Sequence, residues 1–204
     1  KRAELGGWEE EVYYSLFRVA ICSVLKEDPW EKIQQHFLDS YAFRPIRAEP
    51  LHQLSRLYRG AGKMNHAYLF AQRAAQIEYP EHDILFISDD VYKWQALDEV
   101  AATAFYTHDF VGGYQASKYL LNCPDVPPQE RDRIAQNLVH YETKIKEIEA
   151  QKLQAKANST INNQVLMMEE AKKRKEKKLE RRNKQKKSTR ANSAKNKYKK
   201  RKTK

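Results

Sequence analysis

The sequence predicts an all-α protein: a right-handed α-solenoid of about three helix pairs, a C-terminal capping helix and a disordered basic tail. Three observations predict it. Apolar residues recur at spacings of three and four, the stripe of an amphipathic helix. The stripes come in pairs, broken by turn residues and closed by proline. The pair then recurs in register, at roughly the ~34-residue length of helix-pair repeats. Two helices of this size cannot bury both their faces alone, so each pair implies stacked neighbours.

The clearest pair is 47–80, RAEPLHQLSRLYRGAGKMNHAYLFAQRAAQIEYP. Leu51, Leu54 and Tyr58 form the stripe of its first helix, with small Ser55 beside them, and Pro50 suits a first helical turn. Gly60 and Gly62 mark the tight connection. Ala67, Ala71, Ala74 and Ala75, flanked by Leu69 and Phe70, give the second helix a face of small residues that a neighbour can approach closely. Pro80 closes the pair.

Upstream, 8–45 is the first pair. Leu16, Val19 and Ala20 face the partner helix, followed by Trp30, Glu31, Lys32 and Ile33, then Phe37, Ser40 and Pro45. Tyr14, Phe17, Ile21 and Val24 occupy the side that lines the concave surface of such a stack. An end unit is expected to turn a polar face outward. This one is apolar, so either a preceding segment covers it or the groove is simply apolar. The first residue is Lys, which suggests a fragment or a processed chain.

Residues 79–91, YPEHDILFISDDV, do not fit the helical period of the stretches on either side. Asp83 to Ile87 followed by Ser88-Asp89-Asp90 superficially resembles a strand ending in a carboxylate pair able to hold a metal-bound diphosphate. The stronger reading makes Ser88, Asp89 or Asp90 the cap of a helix starting near Val91, with Leu85 and Phe86 pinning the connection.

The third pair, 91–124, places Leu97, Val100, Ala101 and Ala104 before the turn Thr107-His108-Asp109-Phe110, then Gly113, Ser117, Leu120 and Pro124. Pro127-Pro128-Gln129-Glu130 starts the capping helix, 127–157, with proline and acid in its first turn. Its seam is Ile134, Leu138, Tyr141, Ile145 and Ile148. The first half caps the stack; the second, charged and Gln-rich, projects into solvent or pairs with another helix. Asn158 to Asn163 ends the helix by composition, and Asn158 heads an N-x-T sequon. Val165-Leu166-Met167-Met168 is a short apolar patch before the tail.

These pairs resemble a tetratricopeptide repeat array: large, small and aromatic residues on the first helix, an Ala-like position opening the second, and Pro at the end. The large opening residue is Leu16, Leu51 and Leu97 rather than Trp, and the family's Gly is missing. The strings GGWEEEVYYSL, DPWEKI, FRPIRAEPLHQLSRLYR, AYLFAQRA and DDVYKWQALDEVA resemble, more narrowly, the helical region that accompanies family-2-type glycosyltransferases. The resemblance covers about the first 140 residues and includes no catalytic domain. It implies an association with glycan transfer and carries over no catalytic residue.

Charge is divided unevenly. Nineteen of the 38 Lys and Arg, but two of the 27 Asp and Glu, fall within 171–204, so this stretch carries +17 and the remainder −6 within the overall +11. The tail has too few apolar residues to offset chain entropy. Cys22 and Cys123 have no CxxC partner and read as buried free thiols. No apolar run reaches the ~18 residues of a membrane span, and no signal peptide heads the sequence. An intracellular and chiefly cytoplasmic location is expected, with nuclear import as the alternative for the basic run.

Chemistry-bearing motifs are sparse. His36, His52, His66, His82, His108 and His140 are scattered, with no HExxH pair or Cys partner at metal spacing. No Gly-rich phosphate loop or nucleophile elbow occurs. The reading is of no active site, metal or cofactor in this chain, and of two binding surfaces. On the concave face stand Tyr14, Phe17, His52, Arg56, Arg59, Gln95, Asp98 and Phe105, there to receive a protein or peptide or an upstream catalytic domain. Arg56 and Arg59 are suited to a peptide carboxylate, or merely solvate a helix face. On the tail, Lys172, Lys173, Arg174, Lys175, Arg181, Arg182, Lys199, Lys200 and Arg201 suit RNA, DNA or an anionic surface, binding by counterion release. Tyr198 alone could stack a base there, against specific readout.

Overall fold

The computed structural model describes residues 7–202, with side chains as far as Lys178 and for Arg181, Arg182 and Lys184 beyond it. Among these residues there is no strand; the fold is all-α. Seven α-helices follow one another: α1 Glu9–Leu25, α2 Trp30–Phe43, α3 Glu49–Gly60, α4 Met64–Ala75, α5 Ala96–Thr103, α6 Phe110–Asn122 and α7 Pro128–Lys202. From α1 to α6 each packs on its sequence neighbour, and α3 also meets α5. That order is compatible with a helical repeat.

Local chemistry sets the boundaries. Helix α1 opens with Glu9, Glu10 and Glu11, acids suited to the positive end of a helix, and ends where Glu27 takes a positive φ of 54°. Pro50 stands in the first turn of α3, where its missing N–H costs nothing. Gly62, at φ 71°, makes the turn into α4. A π-helical turn, Val91–Gln95, runs into α5, and a 3-10 turn, Ala104–Thr107, leads out of it. His108 is left-handed there, at φ 64°, and Asp109 Oδ1 accepts the Gly112 N–H at 2.9 Å to cap α6. The turn predicted at 107–110 is therefore present. Arg131 of α7 donates to the carbonyls of Leu121 and Cys123 at the other end of α6, both at 2.8 Å.

Two apolar clusters form the core. Ala20, Ile33, Phe37, Leu51, Leu54, Tyr58, Ala67 and Ala74 join α1–α4. Tyr68, Ala71, Trp94, Val100, Ala101, Ala104, Leu120, Ile134 and Tyr141 join α4–α7. The small face of α4 packs as expected through Ala67, Ala71 and Ala74, while Ala75 and Leu69 are exposed. Val19 and Cys22 are exposed too. Both line a cavity of about 600 Å³ together with Lys32 and His36 of α2, so neither is the buried packing residue expected; Cys123 is buried.

Residues 76–90 form an ordered connection rather than a strand, built around Arg47. Its guanidinium is wholly buried and every N–H has an acceptor: Glu49 at 2.7 and 3.2 Å, Asp83 Oδ2 at 3.1 Å, and the carbonyls of Leu85 and Phe86 at 3.2 and 2.8 Å. Glu49 in turn accepts from Tyr13, Tyr92 and the Ser88 N–H. Glu10 accepts the N–H groups of Ile84 and Leu85 at 2.8 and 2.7 Å, and Arg44 joins Asp83 to Glu9. Such groups tolerate burial because each is paired and fully hydrogen-bonded. Leu85 and Phe86 pin the connection as predicted. The expected side-chain cap at 88–90 is not made, because Ser88 contributes its carbonyl to Val91 N–H and Asp89 binds Tyr79 and Lys93.

By its contacts the chain divides into 1–147 and 148–204. Helix α7 passes through 158–163, where composition predicted an end. From Glu149 to Lys178 every side chain is exposed, so only local terms hold this part helical: Ala, Lys, Glu, Gln and Arg propensities and pairs such as Glu170–Arg174.

Candidate functional site: a polar groove between α3, α5 and α7

Within 1–147, α3 turns His52, Arg56 and Arg59 towards Trp94 and Gln95 of the π-helical turn, Asp98 and Glu99 of α5, and Glu130 and Arg133 of α7. Together they line a cavity of about 320 Å³. The spacing explains the convergence: 52, 56 and 59 are one helical stripe, as are 94, 95, 98 and 99. Arg59 grips Glu99 with two parallel bonds of 2.8 Å. Arg133 bridges Asp98 Oδ2 at 2.8 Å and Glu130 at 2.7 Å. Arg56 is exposed and, unlike the other two guanidiniums of the cavity, has no carboxylate partner among the described residues.

Three buried polar atoms of this lining have no hydrogen-bond partner: His52 Nδ1, Trp94 Nε1 and Asp98 Oδ1. Orphaned groups are uncommon in folded chains, since each costs about 1–3 kcal/mol, and here three belong to one cavity. Burial pushes the His52 imidazole down to about 4, with Arg56 and Arg59 adding repulsion, so it is neutral at pH 7. Burial also raises Asp98 above the ordinary carboxylate range, against the pull of Arg133. Trp94 Nε1–H is a donor and Asp98 Oδ1 an acceptor, while Arg56 offers further donors. The three orphaned atoms are sealed from solvent, so what the cavity offers a ligand is the exposed Arg56 guanidinium rather than these atoms.

Of the concave-face residues expected from sequence, the structure brings His52, Arg56, Arg59, Gln95 and Asp98 together. Phe105 lines an adjoining cavity of about 250 Å³ with Ala101, Ala102, Tyr106, Asn137, His140 and Tyr141. Tyr14 and Phe17 join neither. Tyr14 stacks on Phe86 at 3.9 Å, and Phe17 meets Phe37 edge-on at 6.0 Å. Both rings are engaged within the chain, because the 76–90 connection and α2 cover the face of α1 expected to be open.

Trp94, Glu99, Glu130 and Arg133 were not anticipated. A signal existed for the first two, since Trp94, Gln95, Asp98 and Glu99 put a polar stripe on an otherwise apolar helix. Arg133 lies one residue before the Ile134 seam and reads as surface until α7 is docked. Among the described residues no group of three or more His, Cys, Asp and Glu could hold a metal ion, and no helix is long and apolar enough to cross a membrane. On the tail, Lys172, Lys173, Arg174, Lys175, Arg181 and Arg182 are exposed; the side chains of Lys199, Lys200 and Arg201 lie outside the described ones. Compared with protein-family models, curated proteins and solved structures, the chain finds no match, so what the groove can do is argued from its own geometry.

Proposed function

We propose that this chain is a non-catalytic peptide-binding module of tetratricopeptide-like type, stacked as a right-handed solenoid. In this reading it is the helical accessory region of a glycosyltransferase-type protein whose catalytic domain lies outside these 204 residues. The observation that carries the binding role is the polar groove walled by three helices, where Arg56 stands exposed and has no carboxylate partner among the described residues. The glycosyltransferase association is supported by the sequence resemblance. Two measurements test the reading. Acidic peptides titrated into the chain bind at Arg56, and Arg56→Ala weakens them by roughly 1.5–3 kcal/mol, the range of a charged hydrogen bond; unchanged affinity removes the groove from the mechanism. Nucleotide sugars are neither hydrolysed nor transferred, and turnover that co-purifies quantitatively with the chain overturns the non-catalytic part.

A second reading is favoured by the exposed Lys and Arg of 172–182: an adaptor whose helical region holds a protein while its tail holds RNA or DNA. Its affinity falls steeply between low and physiological salt, with sequence-blind preference. Deleting 171–204 abolishes it; an unaltered affinity in the truncated chain rejects it.

A further inference from the structure

The polar and aromatic cavities share their two walls. On α5 and the turn after it, 95, 98 and 99 line the first and 101, 102 and 105 the second; on α7, 130 and 133 line the first and 137, 140 and 141 the second. Asp98 and Ala102 stand four apart on α5, and Arg133 and Asn137 four apart on α7, so on each helix the two cavities share one face. The two cavities therefore lie end to end along one furrow between α5 and α7. We propose that this furrow is a two-subsite groove for an extended peptide carrying an acidic residue and a large apolar residue three positions apart; this rests on the peptide-binding reading above.

The seven residue steps of α7 from Arg133 to His140 advance about 10 Å at ~1.5 Å each, and an extended chain covers the same distance in about three residues at ~3.3 Å each. The polar end suits a carboxylate because Arg56, exposed and without a carboxylate partner among the described residues, has free guanidinium donors there. The other end suits an apolar side chain because Phe105, Tyr106 and Tyr141 wall it, and Tyr106 is left 57% exposed. Repulsion also selects. A basic side chain at the polar end would meet Arg56, whereas Arg59 and Arg133 are already paired with Glu99, Asp98 and Glu130.

The test uses the full chain and labelled Gly/Ser peptides holding one Glu and one Leu at separations from one to five, in both chain directions, read by fluorescence anisotropy at physiological salt. A separation of three is expected to bind at least about tenfold tighter than one or five. Arg56→Ala should erase the preference for Glu over Gln, and Phe105→Ala the preference for Leu over Ser, with thermal melts checking that both variants stay folded. Binding that requires Arg56 but ignores separation overturns the two-subsite groove and leaves the peptide-binding reading standing. Binding that tracks peptide charge alone, is untouched by Arg56→Ala and vanishes with the tail overturns both.

Discussion

At the scale of single residues, the buried histidine and the buried arginine face opposite problems. Arg47 keeps its charge because five acceptors surround it; His52 loses its charge because burial outweighs the pull of Glu99 and Glu49. The imidazole titrates near 6.5 in the unfolded chain and at about 4 in the native one. As pH falls from about 6.5 to about 4, the unfolded state takes up a proton that the native state refuses, and stability declines through that window by an amount of order 3 kcal/mol. His52→Gln is expected to remove this part of the slope, measured as the difference between urea midpoints of the two proteins from pH 4 to pH 7. The surrounding carboxylates are present in both proteins, so the comparison isolates the imidazole. An unchanged slope would mean that the site is wetter than its burial implies. Neither residue's role was legible in sequence. His52 was expected on an open face, and the partners of Arg47 stand as much as 39 residues away.

Among the elements, what periodicity encodes was readable and what packing decides was not. Leu51, Leu54 and Tyr58, or Ala67, Ala71 and Ala74, mark their buried faces by spacing alone, and all six are buried. The outward face of α1 could not be recognised as covered, because its cover is an irregular connection without period. The clearest element-level contact joins α6 to α7. A β-carbon at Gly113 would sit 2.2 Å from the Tyr141 ring, whose hydroxyl donates to the Ala101 carbonyl at 2.8 Å. Gly113→Ala must push that ring, and with it α7, away from α5 and α6, at a cost of about 1–3 kcal/mol. A lowered urea midpoint with unchanged m-value is expected. If the furrow between α5 and α7 binds peptide, the same substitution weakens binding as well.

For the molecule as a whole, charge and burial part company along the sequence. Among the described residues what packs lies within 1–147, where 22 Asp and Glu outnumber 17 Lys and Arg, whereas 148–204 holds the basic run and no buried side chain among those described. A chain ending at Glu147 is therefore expected to melt within about 2 °C of the full chain. The circular dichroism difference between the two should fade gradually on heating, as a helix held by local terms does. A large loss of melting temperature would mean that the tail stabilises the helical region. The composition break was plain in sequence, but the helix running through it was not, since Asn158 to Asn163 are poor helix formers. The contacts of Glu10 with Ile84 and Leu85 have a kinetic consequence. Most packing here joins adjacent helices, which find each other early, but these bonds close a span of up to 75 residues. Their entropic cost must be met before they return anything. The connection is thus set to dock last during folding, after α1 to α4 have assembled the surface that receives it.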